Sequence, residues 1–195
     1  GHPLDQYWDK VTELATHFTD SLEGLPKCTE VRLCGIFTGL QRRRNKEGKP
    51  WAAMTLEDRN GTLEAMVFTT NYERLLKELV EDRAVMVRAA VLPEEGGPPK
   101  LSIQDIVPLE VARVNLPTLI SIKVWLGTNG VRDKAEELSS LFARKPGETE
   151  VRLRLEKARD FSVILDVAAK VRPDKEFLAE VSRICGDGAV EILGS

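Results

Sequence analysis

The stretch from Trp51 to Phe68, WAAMTLEDRNGTLEAMVF, limits the chain's folding choices more than any other. Ala52, Met54 and Leu56 fall on one side of a period-two pattern, and Trp51, Ala53, Thr55 and Glu57 on the other. After Asp58-Arg59-Asn60-Gly61 the pattern resumes, with Leu63, Ala65 and Val67 inward and Glu64, Met66 and Phe68 outward. Alternation on both sides of an Asn-Gly turn predicts an antiparallel hairpin. One of its faces builds a core and the other meets solvent or a ligand.

Three further strands surround this hairpin. Val31 to Thr38 precedes it, and Gly35 marks a place where a barrel strand can bend. Ala84 to Val91 follows, with Val85, Val87, Ala89 and Val91 on one face. Lys100 to Pro108 completes the set, with Leu101 and Ile103 inward. Between the third and fourth strands, a helix is expected over about Asn71 to Val80. Thr70 and Glu73 would form its capping box, and Tyr72, Leu75, Leu76 and Leu79 its apolar stripe. Five strands with a helix between the third and fourth is the order of an OB-fold barrel, an architecture that often binds single-stranded nucleic acid.

Composition sets the outer limits. A hydrophobic share of 42% and a charged share of 30% are those of a globular protein. At 195 residues the chain suits two domains. Its net charge of −3 gives no general attraction to nucleic acid, so such binding needs a local basic patch. No apolar run is long enough to span a membrane, and no signal-peptide pattern opens the chain. Cys28, Cys34 and Cys185 read as reduced structural thiols of a cytoplasmic protein. Only His2 and His17 could join them, so neither a metal site nor another cofactor is expected.

The chain begins without methionine, as a piece cut from a larger protein would. Residues 1–26 form a helical junction segment in this reading, with a packing helix over Leu4 to Phe18 that ends by Gly24 and Pro26. Residues 27–110 form the OB domain, 111–117 a linker, and 118–195 an α+β domain.

Gln41 to Pro50 reads as the loop between the first two barrel strands. It sets Arg42, Arg43, Arg44, Lys46 and Lys49 against the single acid Glu47. Clustered cations, and arginine forks above all, suit phosphate oxygens. The plain alternative is a solvated, solubilising hairpin tip. Trp51 leaves this loop facing outward beside Met66 and Phe68. Flat rings next to a basic loop suit base stacking, although an outer patch covered by another domain would look the same. The loop from Glu94 to Pro99 is acidic and turn-forming, which argues against a second basic clamp.

Thr118 to Ser195 reads as strand, helix, two strands, helix, strand, the order of the ferredoxin-like βαββαβ fold. The helices are expected from Val131 to Ala143, with Ala135 in its apolar stripe, and from Pro173 as a first-turn residue. Charges of alternating sign at Arg152, Arg154, Glu156, Lys157 and Asp160 leave no basic stripe and favour a protein partner over DNA. No nucleophile, base and orienter stand at a recognisable spacing, and no glycine-rich phosphate loop is present. Glu57 and Asp58 sit where carboxylates cap turns, and Asp105 reads as solvated.

Two runs carry a family resemblance. Gly1-His2-Pro3-Leu4-Asp5-Gln6-Tyr7 resembles the GHP-x-x-x-Y stretch that precedes the OB domain in the alpha subunit of bacterial DNA polymerase III. Thr55 to Phe68 resembles that family's T-L-x-D-x-x-G-x-L-E-x-x-x-F hairpin. Aspartyl and lysyl tRNA synthetases share parts of the hairpin, but not both runs at this separation. The resemblance spans essentially the whole chain and implies a C-terminal, non-catalytic fragment of the polymerase. It implies an OB domain that contacts single-stranded template DNA and a last domain that docks the tau subunit of the clamp loader. The rest of the polymerase chain is a further implied partner, and Arg43, Arg44, Lys46 and Lys49 stand where the family carries basic residues. Two alternatives are a protein-interaction scaffold without DNA contact and an anticodon-binding appendage of a tRNA synthetase.

Overall fold

In the computed structural model, residues 1–127, 130–157 and 161–194 are described. The chain divides into Gly1–Val114 and Asn115–Ser195. In the first unit, β1 (Glu30–Arg44), β2 (Pro50–Glu57), β3 (Thr62–Val67), β4 (Ala84–Leu92) and β5 (Lys100–Pro108) close into a barrel in the order β1-β2-β3-β5-β4. The period-two pattern explains the closure. Ala52, Met54, Leu56, Leu63, Ala65 and Val67 all point inward, where they meet Leu33, Phe37, Val87, Leu101 and Ile103. Closing the barrel brings the backbones of β1 and β2 very near each other at Gly35. A Cβ there would lie 2.5 Å from the Glu57 carbonyl oxygen and 2.9 Å from Leu56 Cδ1. Gly35→Ala should therefore lower unfolding stability by about 1–2 kcal/mol through overpacking. Urea denaturation checks this, and an unchanged midpoint would mean that the strands part at no cost.

The helix between β3 and β4 is shorter than its sequence suggests. α2 spans Thr69–Leu75, and a 3-10 turn follows over Leu76–Glu78. Phe68, in extended conformation, holds the N-cap position, and no side chain caps the helix. The Thr70/Glu73 capping box is not formed, because the helix starts one residue before Thr70. The neighbouring Thr69 hydroxyl donates instead to the Pro50 carbonyl at 2.9 Å. Tyr72, Leu75 and Leu79 are buried as expected, whereas Leu76 is exposed.

The N-terminal segment straps the barrel. A 3-10 turn, Asp5–Tyr7, leads into α1 (Trp8–Leu14), which stops well short of Phe18. Beyond it the Thr16 amide donates to the Arg32 carbonyl at 2.8 Å, and Thr16 Oγ1 accepts from the Arg32 amide at 2.8 Å. Bonding to β1 thus replaces the next helical turn. Leu4, Val11 and Ala15 bury themselves against Cys34, Ala84, Leu109 and Ala112. The Arg59 guanidinium stacks 3.6 Å over the Trp8 ring and pairs with Asp5, whose carboxyl it holds below the usual range. Asp58 caps its own turn and ties the strap to it. Its carboxylate accepts from Thr19 N (2.8 Å), Thr19 Oγ1 (2.7 Å), Asn60 N (2.8 Å) and Gly61 N (3.1 Å). Asp105 is not simply solvated: its Oδ1 accepts from the Ile106 amide and lies 3.4 Å from Arg74.

The second unit contains β6 (Leu119–Trp125), α3 (Val131–Arg144), β7 (Pro146–Lys157), β8 (Phe161–Asp166), α4 (Lys175–Cys185) and β9 (Val190–Gly194). This is the expected run of elements, but the sheet is not ferredoxin-like. Its order is β8-β7-β6-β9, with β6 and β7 as hydrogen-bonded parallel neighbours. A split β-α-β needs a third strand between them. The burial pattern shows why β8 does not take that place. Its register puts Leu165 beside Leu153 and Val163 beside Leu155, on the apolar side, yet every β8 residue is exposed. A strand inserted at the sheet centre would be covered on that side. The core lies instead under α3 and α4, where Phe142 and Phe177 stack at 6.0 Å. Ala135 is exposed and outside this core. Pro173 precedes α4 rather than opening it, and Asp174 is the N-cap, accepting from the Phe177 amide at 2.9 Å. The link 158–160, including Asp160 of the charge pattern, lies outside the described residues. Among the described residues, no helix is long and apolar enough to cross a membrane.

Candidate nucleic-acid interface

The basic run is mostly strand, not loop. β1 continues through Arg44, and its last residues pair with β2 in register: Arg42 with Ala52, Arg43 with Trp51, Arg44 with Pro50. The tip is only residues 45–49, where Asn45 Oδ1 accepts from the amides of Glu47 (3.0 Å) and Lys49 (2.9 Å). The charges at Arg42 to Arg44 look like a loop in sequence because nothing apolar alternates with them. The turn chemistry of Asn45 and Gly48, the latter at φ +79°, is what places the tip.

Strand geometry then separates the three arginines, since successive side chains leave opposite faces. Arg43 shares a face with Trp51, and its guanidinium lies 5.9 Å from the indole centroid. Arg42 and Arg44 leave from the other face. Arg42 donates to the Tyr72 hydroxyl at 3.3 Å, and Arg44 to the Gly48 carbonyl at 2.7 Å. Lys46 and Lys49 are exposed at the tip, with Lys49 3.7 Å from Glu47. Phe68 is exposed where β3 hands over to α2.

The Arg43 face continues across the barrel. A shallow cavity of about 320 Å³ is lined by Gln41, Arg43, Trp51, Ala53, Met66 and Lys100, among others. Gln41 accepts a hydrogen bond from Arg43, which orients the guanidinium. A flat indole, a thioether and a guanidinium on one open face can stack an unpaired base while the cation meets its phosphate. Of the expected contact residues, this cavity brings together Arg43 and Trp51; Arg42, Arg44, Lys46, Lys49 and Phe68 are not in its lining. Gln41 and Lys100 were not picked out from the sequence. Gln41 shares the alternation that links Arg43 to Trp51. Lys100 carried no signal beyond opening a strand. Among the described residues, no three His, Cys, Asp or Glu side chains group closely enough to hold a metal ion.

A closed five-strand barrel with a helix between its third and fourth strands defines an OB-fold domain. Residues 31–109 match the family model described as OB-fold nucleic acid binding domain. Over nearly its whole length the chain is homologous to DNA polymerase III subunit alpha. It is 30% identical over 194 residues to that protein from Mycobacterium tuberculosis, covering 97% of this chain and 16% of the relative. The Aquifex aeolicus subunit is 35% identical over 138 residues, covering 69% of this chain and 12% of that protein. The chain thus spans well under a fifth of the relatives it matches. Among solved structures, a mitochondrial single-stranded DNA binding protein of S. cerevisiae, Rim1, is similar at 17% identity. That match covers 42% of this chain and 96% of Rim1, with a TM-score of 0.35.

Proposed function

We propose that this chain is a non-catalytic C-terminal region of a polymerase III alpha subunit, acting in the cytoplasm, whose barrel binds single-stranded template DNA. The observation that carries the reading is Arg43 and Trp51 side by side, 5.9 Å apart, on an open face of an OB barrel. The homology to alpha subunits over 97% of the chain supports the polymerase setting. Labelled oligo-dT titrated with the 195-residue chain at two salt concentrations tests it. Arg43, Lys46 and Lys49 together can neutralise about two to three phosphates, so log K should fall with log salt at a slope of roughly −1.4 to −2.1. Duplex should bind less well, because its bases are not free to stack. The absence of any salt-dependent binding would leave the scaffold reading in place.

The second unit is, in this proposal, the docking module for the clamp-loader tau subunit. β8 supports it as a recognition edge: Phe161, Val163, Ile164 and Leu165 are all exposed on a strand paired on one side only. Native proteins normally blunt such edges with charge or cover them. Ile164→Asp should weaken capture of tau by the full chain roughly tenfold while leaving oligo-dT binding intact. Undiminished capture by this variant would move the docking surface away from β8.

A further inference from the structure

Lys100 opens β5 at the meeting point of two cavities. It lines the one that holds Arg43 and Trp51. It also lines a larger one of about 460 Å³, walled by Leu63, Glu64, Glu94, Glu95, Pro98 and Pro99. Its ammonium lies 3.3 Å from Glu64 and 3.4 Å from Glu94. Hydrogen bonds to Glu64 first, and then to Glu94, push its pKa up, so it stays charged at neutral pH. Glu64 projects from β3, and Glu94 from the turn that joins β4 to β5. Glu95 lines the same cavity and makes no ion pair with Lys100 among the described residues.

Such a cation between two carboxylates is weakly committed. Exposed ion pairs contribute little net stability, so a phosphate can displace them readily. The face then carries a cation at each end, Arg43 and Lys100, with Trp51, Ala53 and Met66 between. We propose that Lys100 is a second phosphate-contacting residue of this face, and that Glu64 and Glu94 are a brake which the backbone of a single strand must displace. This rests on the reading of the barrel as a single-strand binder. It also gives Glu94, in the acidic turn, a role: its pairing with Lys100 weakens the hold on the strand.

Oligo-dT titrations at two salt concentrations test it, using wild type, E64Q/E94Q, E95Q and E64Q/E94Q/K100M. The E64Q/E94Q variant should bind about 3- to 10-fold tighter. Its salt slope should steepen by about 0.7, because in wild type the displaced carboxylates take up counterions that offset those released at Lys100. E95Q removes a neighbouring charge without freeing Lys100, so its gain should stay under about twofold with the slope unchanged. Adding Lys100→Met should abolish both the gain and the steeper slope. Equal gains from E95Q and E64Q/E94Q would overturn the proposal, as would a gain that survives Lys100→Met. Wild type that binds, with E64Q/E94Q no tighter, would sink the brake alone. Wild type that fails to bind would remove the single-strand reading and this proposal with it.

Discussion

Asp58→Ala should lower the stability of the first unit by about 3 kcal/mol, a loss on the scale of truncating a core side chain. Asp58 is 4% exposed and its carboxylate accepts four hydrogen bonds, two of them from Thr19, which is buried as well. Hydrogen bonds to an ionised acceptor are each worth more than neutral ones, and donors left buried without a partner keep their full desolvation cost. Asp58→Asn retains the shape and one acceptor oxygen, so it should lose about half as much. The check is the urea midpoint, followed by tryptophan fluorescence. A loss below 1 kcal/mol for the alanine variant would mean that water satisfies Thr19 once the strap loosens.

Trp51→Ala should cost about 1–3 kcal/mol of single-strand affinity and leave the salt slope unchanged, since a stacked ring neutralises no phosphate. Arg43→Ala should act the other way, flattening the slope by about 0.7 with a smaller loss of affinity. Changing Arg42, Arg43 and Arg44 together should flatten it little further. Arg42 and Arg44 leave the opposite face of the hairpin and are occupied with Tyr72 and Gly48. Titrations of labelled oligo-dT at one salt concentration read the first effect, and titrations across salt read the second. A Trp51→Ala variant of full affinity would make the indole a packing residue of the outer face.

The barrel was legible because half-burial writes itself into the sequence. Ala52, Met54 and Leu56 could only alternate if one face of β2 were dry, and Gly61 could only follow Asn60 at a turn. The strand pairing of the second unit was not legible in the same way. A run of strand, helix, strand does not say whether β7 docks beside β6 or one place away, and Phe161, Val163 and Leu165 look the same as core residues and as an exposed edge. At the site, Trp51 could be read as outward-facing from its parity. The paths of Arg42, Arg43 and Arg44 depend on β1 continuing six residues past Thr38, and charged residues exposed on both faces leave no pattern to show it. The Thr70/Glu73 capping box failed for a related reason: a motif records which bonds are possible, and the handover at Phe68 decided which formed.

The strap has a consequence for how this module can be divided. Residues 31–109, the span recognised by family likeness, omit Leu4, Val11, Ala15 and Thr19. Excised at those limits, the barrel would bare Cys34, Ala84 and Leu109 and strip two hydrogen bonds from Asp58. The smallest piece that keeps this packing therefore reaches back to the first residues of the chain, well outside the span of the family model.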